Sequence, residues 1–247
     1  MKRILCALLA ATLCAVSAAA LSGCGCEGKK SSSNPGPAYT VPVTDPDLKD
    51  SQFGYYIINS SELMITRYYG SDKNLTIPDS FEGRKISIIG HSVFGVEPGK
   101  DTLETVVIPE SITDIQDYAF ASAHSLTKVT LPSQLRYLGY DAFFACTSLK
   151  EVNIPESLKK IEPYAFSASG LERIEFPYSD NLSSIPQYAF YQCKGLKEVV
   201  LPDTITSIAD DAFEQCNDAL TIKCYENSYA QSWAKNHNVK CEAMPRE

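Results

Sequence analysis

Nine cysteines and three histidines are the side chains of this chain best suited to act as nucleophiles, general bases or metal ligands. The histidines, His91, His124 and His237, belong to no His-Glu-x-x-His pair that would set two imidazoles on one helical face, and none lies in a Cys-x-x-Cys setting. No Gly-x-Ser-x-Gly elbow and no phosphate-cradling glycine loop occurs. Acid pairs such as Asp210-Asp211 fall at turns, where a solvated turn or a local cap explains them better than acid–base catalysis. Cys146, Cys193 and Cys216 each stand three residues after a phenylalanine, in a column that elsewhere holds Ala123 and Ser169. Ala, Ser and Cys share small size, so the column asks for a small buried side chain and not for a thiolate. The chain is therefore not expected to be an enzyme, and no metal or cofactor is expected.

That column belongs to a repeat. Phe94, Phe120, Phe143, Phe166, Phe190 and Phe213 recur at steps of 26, 23, 23, 24 and 23, and a fixed period of this size marks a solenoid. Each unit opens on Leu-x-x-apolar-x-apolar-Pro, as in Leu149/Val152/Ile154/Pro155 and Leu196/Val199/Leu201/Pro202. The alternation is that of a short strand with one buried face, and the proline, lacking an N–H, ends it. Beyond it, Ile112, Ile115, Ala119 and Phe120 step by threes and fours, which suggests a turn of helix. A single unit of about 23 residues cannot bury enough apolar surface to offset the entropy of ordering itself. Stacked units can, because each covers the next.

These units resemble the leucine-rich repeats of the BspA or Treponema pallidum type, whose consensus runs Leu-x-x-apolar-x-apolar-Pro through Ala-Phe-x-x-Cys. The resemblance covers residues 53 to 242. It implies an α/β repeat solenoid: a right-handed coil with a parallel β-sheet on the concave face, short helical or irregular convex segments, and capped ends. Residues 53–101 are assigned to an N-terminal cap and a first atypical repeat, 102–218 to the repeats, and 219–247 to a strand–helix–strand C-terminal cap.

At the first cap, Tyr56, Ile58, Leu63, Ile65 and Tyr68 suggest paired strands around Asn59-Ser60-Ser61. At the second, Tyr229, Ala230, Trp233 and Ala234 share a helical face, and Ser228 with Gln231 fits a capping box, so the single tryptophan belongs to the cap core. Cys224 and Cys241 flank that helix. If both flanks are strands the two could sit side by side, and a disulfide between them is open.

The leader MKRILCALLAATLCAVSAAALSGCGC, a positive end followed by an apolar segment and small residues, has the form of a secretory signal over residues 1–23. Leu21-Ser22-Gly23-Cys24 resembles the bacterial lipobox, which implies cleavage before Cys24 and a diacylglycerol on its thiol. An ordinary cleaved signal and a membrane-spanning helix are the alternatives; the apolar segment is short and Ala-rich and lacks a positive stop-transfer cluster. Residues 24–52, rich in Ser, Pro, Gly and charge, read as a disordered tether, with Cys26 unassigned.

Net charge is −8, or −10 once Lys2 and Arg3 leave with the leader, which excludes nucleic acid as a partner. On the sheet face the alternation should expose Thr105 and Val107, Lys128 and Thr130, Glu151 and Asn153, Arg173 and Glu175, Glu198 and Val200. That polar row with both signs of charge suits a transient protein or glycan partner, and it equally suits a plain solvated face. Tyr118, Tyr164 and Tyr188 form a second column, readable as interface anchors or as rings packed between turns. The residues Pro177 to Pro186 include an insertion of about two residues, expected to bulge as a surface loop. The expected protein is a monomeric lipoprotein at the cell surface, anchored through the diacylglycerol on Cys24 and acting as a binding or adhesion module. The alternatives are a solute-binding lipoprotein, for which one continuous repeat leaves no two-lobed cleft, and a cell-envelope scaffold.

Overall fold

The structure, a computed structural model, describes residues 46–95 and 101–245. The signal segment, Cys24, Cys26 and residues 24–45 of the tether lie outside the described residues. Strands β1 (Leu48–Lys49), β2 (Phe53–Ile57) and β3 (Glu62–Tyr68) open the fold, followed by β4 (Asn74–Thr76), β5 (Ser80–Phe81) and β6 (Arg84–Ile89). Then come β7 (Thr105–Val107), β8 (Asp114–Ile115), β9 (Lys128–Thr130), β10 (Tyr137–Leu138), β11 (Lys160–Ile161), β12 (Arg173–Glu175) and β13 (Ser184–Ile185). The chain closes with β14 (Glu198–Leu201), β15 (Ser207–Ile208), β16 (Thr221–Tyr225), helix α1 (Tyr229–Asn236) and β17 (Lys240–Met244).

The repeats build two parallel ladders. The longer strands pair as β4-β7-β9 and as β12-β14-β16-β17, with Thr105 beside Lys128 and Arg173 beside Glu198. Val106, Val129, Val152, Ile174 and Val199 point inward from them and are buried. The second ladder, β6-β8-β10-β11 followed by β13-β15, runs through residues read from the sequence as a turn of helix. That reading is corrected: no helix forms there, because the backbone bonds reach the neighbouring repeat and not the preceding helical turn. Gln116 N donates to Ile89 O at 2.9 Å, Gly139 N to Ile115 O at 2.9 Å and Glu162 N to Leu138 O at 2.8 Å. Past these strands, the repeats of Phe120, Phe143, Phe166 and Phe190 each hold two residues in left-handed backbone, such as Tyr118 (φ 58°) with Ser122 (φ 62°) and Tyr164 (φ 62°) with Ala168 (φ 55°), which no right-handed helix can accommodate.

The turns are tied forward. Phe120 N donates to Ala142 O at 2.8 Å, Phe143 N to Ala165 O at 2.8 Å, Phe166 N to Ala189 O at 2.9 Å and Phe190 N to Ala212 O at 2.9 Å. This close approach of one repeat to the next explains the fully buried alanine before each phenylalanine from Phe120 to Phe213. The six phenylalanines stand in file, ring centroids 4.9, 5.0, 5.6, 5.6 and 5.2 Å apart from Phe94 to Phe213, with successive planes within 12° of parallel. This file is the spine of one continuous core, and both caps extend it: Trp233 meets Phe213 edge-on at 5.6 Å, and Tyr68 meets Phe94 at 5.4 Å.

The first cap begins earlier than the sequence suggested. β1 pairs antiparallel with β2, Asp47 Oδ2 accepts the Ile57 N–H at 2.9 Å, and the Asp50 carboxylate caps Gln52 and Phe53, so residues 46–52 belong to the cap and not to the tether. A bulge at Gly54/Tyr55 turns Tyr55 and Phe53 into the core, leaving Tyr56 half-buried. At the C-terminal end β16, α1 and β17 follow one another, with the Ser228 hydroxyl accepting the Gln231 N–H at 3.2 Å to start α1. Among the described residues, no helix is long and apolar enough to cross a membrane.

Candidate functional site

The ten residues predicted for the sheet face all lie on one side of the longer ladders, exposed or half-buried, alternating with the buried valines and isoleucines. Along much of this face, charges of opposite sign face one another across repeats. Lys73 meets Glu104 at 2.7 Å; Glu172 meets Lys150 at 3.4 Å and Lys197 at 3.2 Å; Glu198 meets Arg173 and Lys223, each at 2.7 Å. Hydrogen bonds from Lys223 and Arg173 hold the Glu198 carboxyl below its ordinary range, and those from Lys197 and Lys150 do the same for Glu172.

Between β9 and residues 150–153 this order stops. Among the described residues no backbone hydrogen bond joins the two segments, and neither Lys128 nor Glu151 has an ionic partner. Residues 150–153 side instead with the following repeat, where Glu172 N donates to Lys150 O at 3.0 Å and Asn153 bridges Glu175. The gap is spanned by a side chain: Asn153 Oδ1 accepts the Leu131 N–H at 2.8 Å, and Asn153 Nδ2 donates to Leu131 O at 2.9 Å. The result is an open cleft of about 680 Å³. Lys128, Thr130, Glu151, Asn153, Arg173 and Glu175 line it, so the structure gathers six of the ten predicted residues there; Thr105 and Val107 lie to one side of it, Glu198 and Val200 to the other.

Sequence reasoning missed Lys150 and Pro177, which also line the cleft, and the amide role of Asn153. The signal available was a deletion. Leu126, Leu149 and Leu196 stand six positions after Phe120, Phe143 and Phe190, but Leu171 stands only five after Phe166. The shortened turn at Gly170 packs so tightly that a Cβ there would lie 2.0 Å from Thr147 O. The insertion after Pro177 is held to the preceding repeat by Ser179 Oγ and Asn181 Nδ2, both bonded to Glu156 O, and it interrupts the second ladder between β11 and β13. It leaves Tyr178 68% exposed, next to the cleft-lining Pro177.

The histidines are engaged singly. His91 packs on Tyr118, His124 Nδ1 contacts Ala145 O at 2.8 Å, and His237 stacks on Trp233 with Nε2 3.2 Å from Asp210. Among the described residues no three acidic, histidine or cysteine side chains could hold a metal ion. The repeat cysteines fill buried or half-buried sites, and each thiol donates to the phenylalanine carbonyl one repeat earlier: Cys146 to Phe120 O at 3.2 Å, Cys193 to Phe166 O at 3.1 Å, Cys216 to Phe190 O at 3.0 Å. Of the tyrosine column, Tyr164 and Tyr188 stack at 4.8 Å, the packed arrangement, and Tyr118 remains 40% exposed.

Residues 87–220 match the BspA type leucine rich repeat region in six copies. The chain belongs to this family. No curated protein matches it in sequence. Among solved structures, the BspA-type coil is similar to the T. pallidum leucine rich repeat protein, at 21% identity and a TM-score of 0.59 over 80% of this chain and 99% of that one. A leucine-rich repeat protein from Bacteroides ovatus matches at 14% identity and a TM-score of 0.51 over 79% and 67%. The pneumococcal vaccine antigen PcpA matches at 18% and 0.62, with 78% of this chain covered but 48% of the antigen, so the chain spans about half of that protein. At these identities the likeness establishes the fold, a BspA-type solenoid of parallel strands with little helix.

Proposed function

We propose that this BspA-type protein is a non-catalytic binding module, held at a bacterial membrane by a diacylglycerol on Cys24, and that its strand face engages a protein partner at the open cleft. The observation that carries this reading is the unmatched pair Lys128 and Glu151. Elsewhere on the face opposite charges satisfy each other across repeats, whereas here an ammonium and a carboxylate stand exposed beside an opening in the ladder. Charges left unmatched on one surface suit charges on another, which favours orientation and rate of encounter more than raw affinity. A protein is favoured over a glycan because the residues lining the cleft include no aromatic ring on which a sugar could stack.

The test places a photo-crosslinking residue at Thr130, inside the cleft, and at Gln134, outside it, in the full-length protein on intact cells. A discrete adduct from Thr130 that disappears in Lys128→Glu/Glu151→Lys supports the reading. Equal adducts from both positions, or none from Thr130, overturn it. Lipid attachment is tested separately, by the mass of the N-terminal peptide and by release of Cys24→Ala into the soluble fraction.

A further inference from the structure

We infer that Cys224 and Cys241 form a disulfide that locks the C-terminal cap of the solenoid. This inference is independent of what the strand face binds. Cys224 lies on β16 and Cys241 on β17, neighbouring parallel strands, with Cys241 in register with Ile222 and Cys224 with Ala243. The two side chains therefore leave the same face of the ladder on a diagonal, and their sulfurs stand 2.7 Å apart, closer than non-bonded sulfur atoms normally rest. The pair encloses α1, whose Trp233 covers the last phenylalanine of the file. β17 pairs with β16 and is the final strand of its ladder, and a terminal strand is where a solenoid frays first. A bond across these 17 positions of chain would remove that fraying route and hold Trp233 against Phe213.

The chemistry is a two-electron oxidation by a small disulfide such as oxidised glutathione. Cys241, half-buried where Cys224 is buried, is the accessible thiol. Its thiolate attacks one sulfur of the oxidant, forming a mixed disulfide and expelling the first glutathione thiolate. The Cys224 thiolate then attacks the Cys241 sulfur and expels the second. Two thiol protons and two electrons leave the protein, and the oxidant departs as two thiols. Burial and the neighbouring Cys224 sulfur push the Cys241 thiol well above its ordinary value, so the reaction is slow near neutrality and accelerates as pH rises. Cys146 and Cys193, buried in separate repeats, are spared.

The full-length protein, purified in detergent, is incubated with oxidised glutathione, denatured in N-ethylmaleimide and digested with trypsin without reduction. The expected product is the peptide of residues 224–235 joined to that of residues 241–246, with Cys146, Cys193 and Cys216 carrying maleimide. Both Cys224 and Cys241 alkylated after oxidation, or either joined to a repeat cysteine, overturns the proposal. A second readout is thermal: dithiothreitol lowers the melting temperature of the oxidised protein by ~5 °C or more and leaves Cys241→Ser unmoved. Equal melting of the wild type with and without reductant overturns the role as a lock.

Discussion

Asn153 grips the backbone of Leu131 with both ends of its amide, accepting from N–H at 2.8 Å and donating to C=O at 2.9 Å. A primary amide carries the same donor and acceptor as a peptide unit, so the side chain stands in for the strand that is missing at this point of the ladder. It satisfies polar groups that the parted strands would otherwise leave without partners. The cleft is thereby a stable feature of the repeat stack, its two sides tied together by one residue.

Replacing that residue tests the argument. Asn153→Ala strips both bonds from Leu131 and is expected to cost about 1–3 kcal/mol, read as a lower urea midpoint. Asn153→Asp retains an acceptor, loses the donor and adds a carboxylate beside Glu151 and Glu175, and should cost at least as much. Unchanged midpoints for both variants would show that water substitutes for the amide without loss.

Gly170 makes a sharper prediction, since the clash at its position is with backbone. An added Cβ meets Thr147 O at 2.0 Å, whereas at Gly195, the glycine of the next repeat, the nearest contact is Leu171 O at 3.2 Å. Gly170→Ala should therefore destabilise by at least about 2 kcal/mol and Gly195→Ala by clearly less. Equal melting temperatures for the two variants would mean that the shortened turn relaxes freely.

The period of the phenylalanines made the stack legible, because a column of large rings at constant spacing has one economical arrangement. The strand alternation likewise placed Thr105 through Val200 on one exposed face. The segment after each proline was misread because its three- and four-residue steps, Ile112 to Ile115 to Ala119, mimic a helix. What decided the outcome was non-local: N–H groups reaching the next repeat, and left-handed residues such as Tyr118 and Ala168 that carry no glycine to announce them. The cleft was hidden for a related reason. The deletion before Leu171 and the insertion after Pro177 largely cancel in the spacing of the phenylalanines, so the period conceals both.

The repeat cysteines should behave as inert core. Burial pushes the thiol of Cys193 up to about 11 and that of Cys216 up to about 12, and it drives Cys146 higher still. Of these three, maleimide should label Cys216 first in the native protein, since it is half-buried, and reach Cys146 and Cys193 only on unfolding. Labelling of Cys146 in the folded protein at the rate seen in urea would overturn this.

Asp141 gives the fold a pH dependence of known sign. Burial, reinforced by the nearby Asp117 charge and opposed by a hydrogen bond with Tyr118, raises its carboxyl from the ordinary 3.8 to about 6. The folded state thus favours the protonated acid. The stabilisation is fully present below pH 3.8 and is lost as pH rises through about 6. With solvent screening at this partly exposed site, the loss amounts to about 1–2 kcal/mol. Asn mimics the protonated acid and tolerates the left-handed backbone of this position (φ 51°). Asp141→Asn should accordingly melt higher than the wild type at pH 7, match it near pH 4, and flatten the wild type's decline between them. If instead the two proteins keep a constant difference in melting temperature across that range, the carboxyl is not the group that titrates, and the gain from Asn is conformational alone.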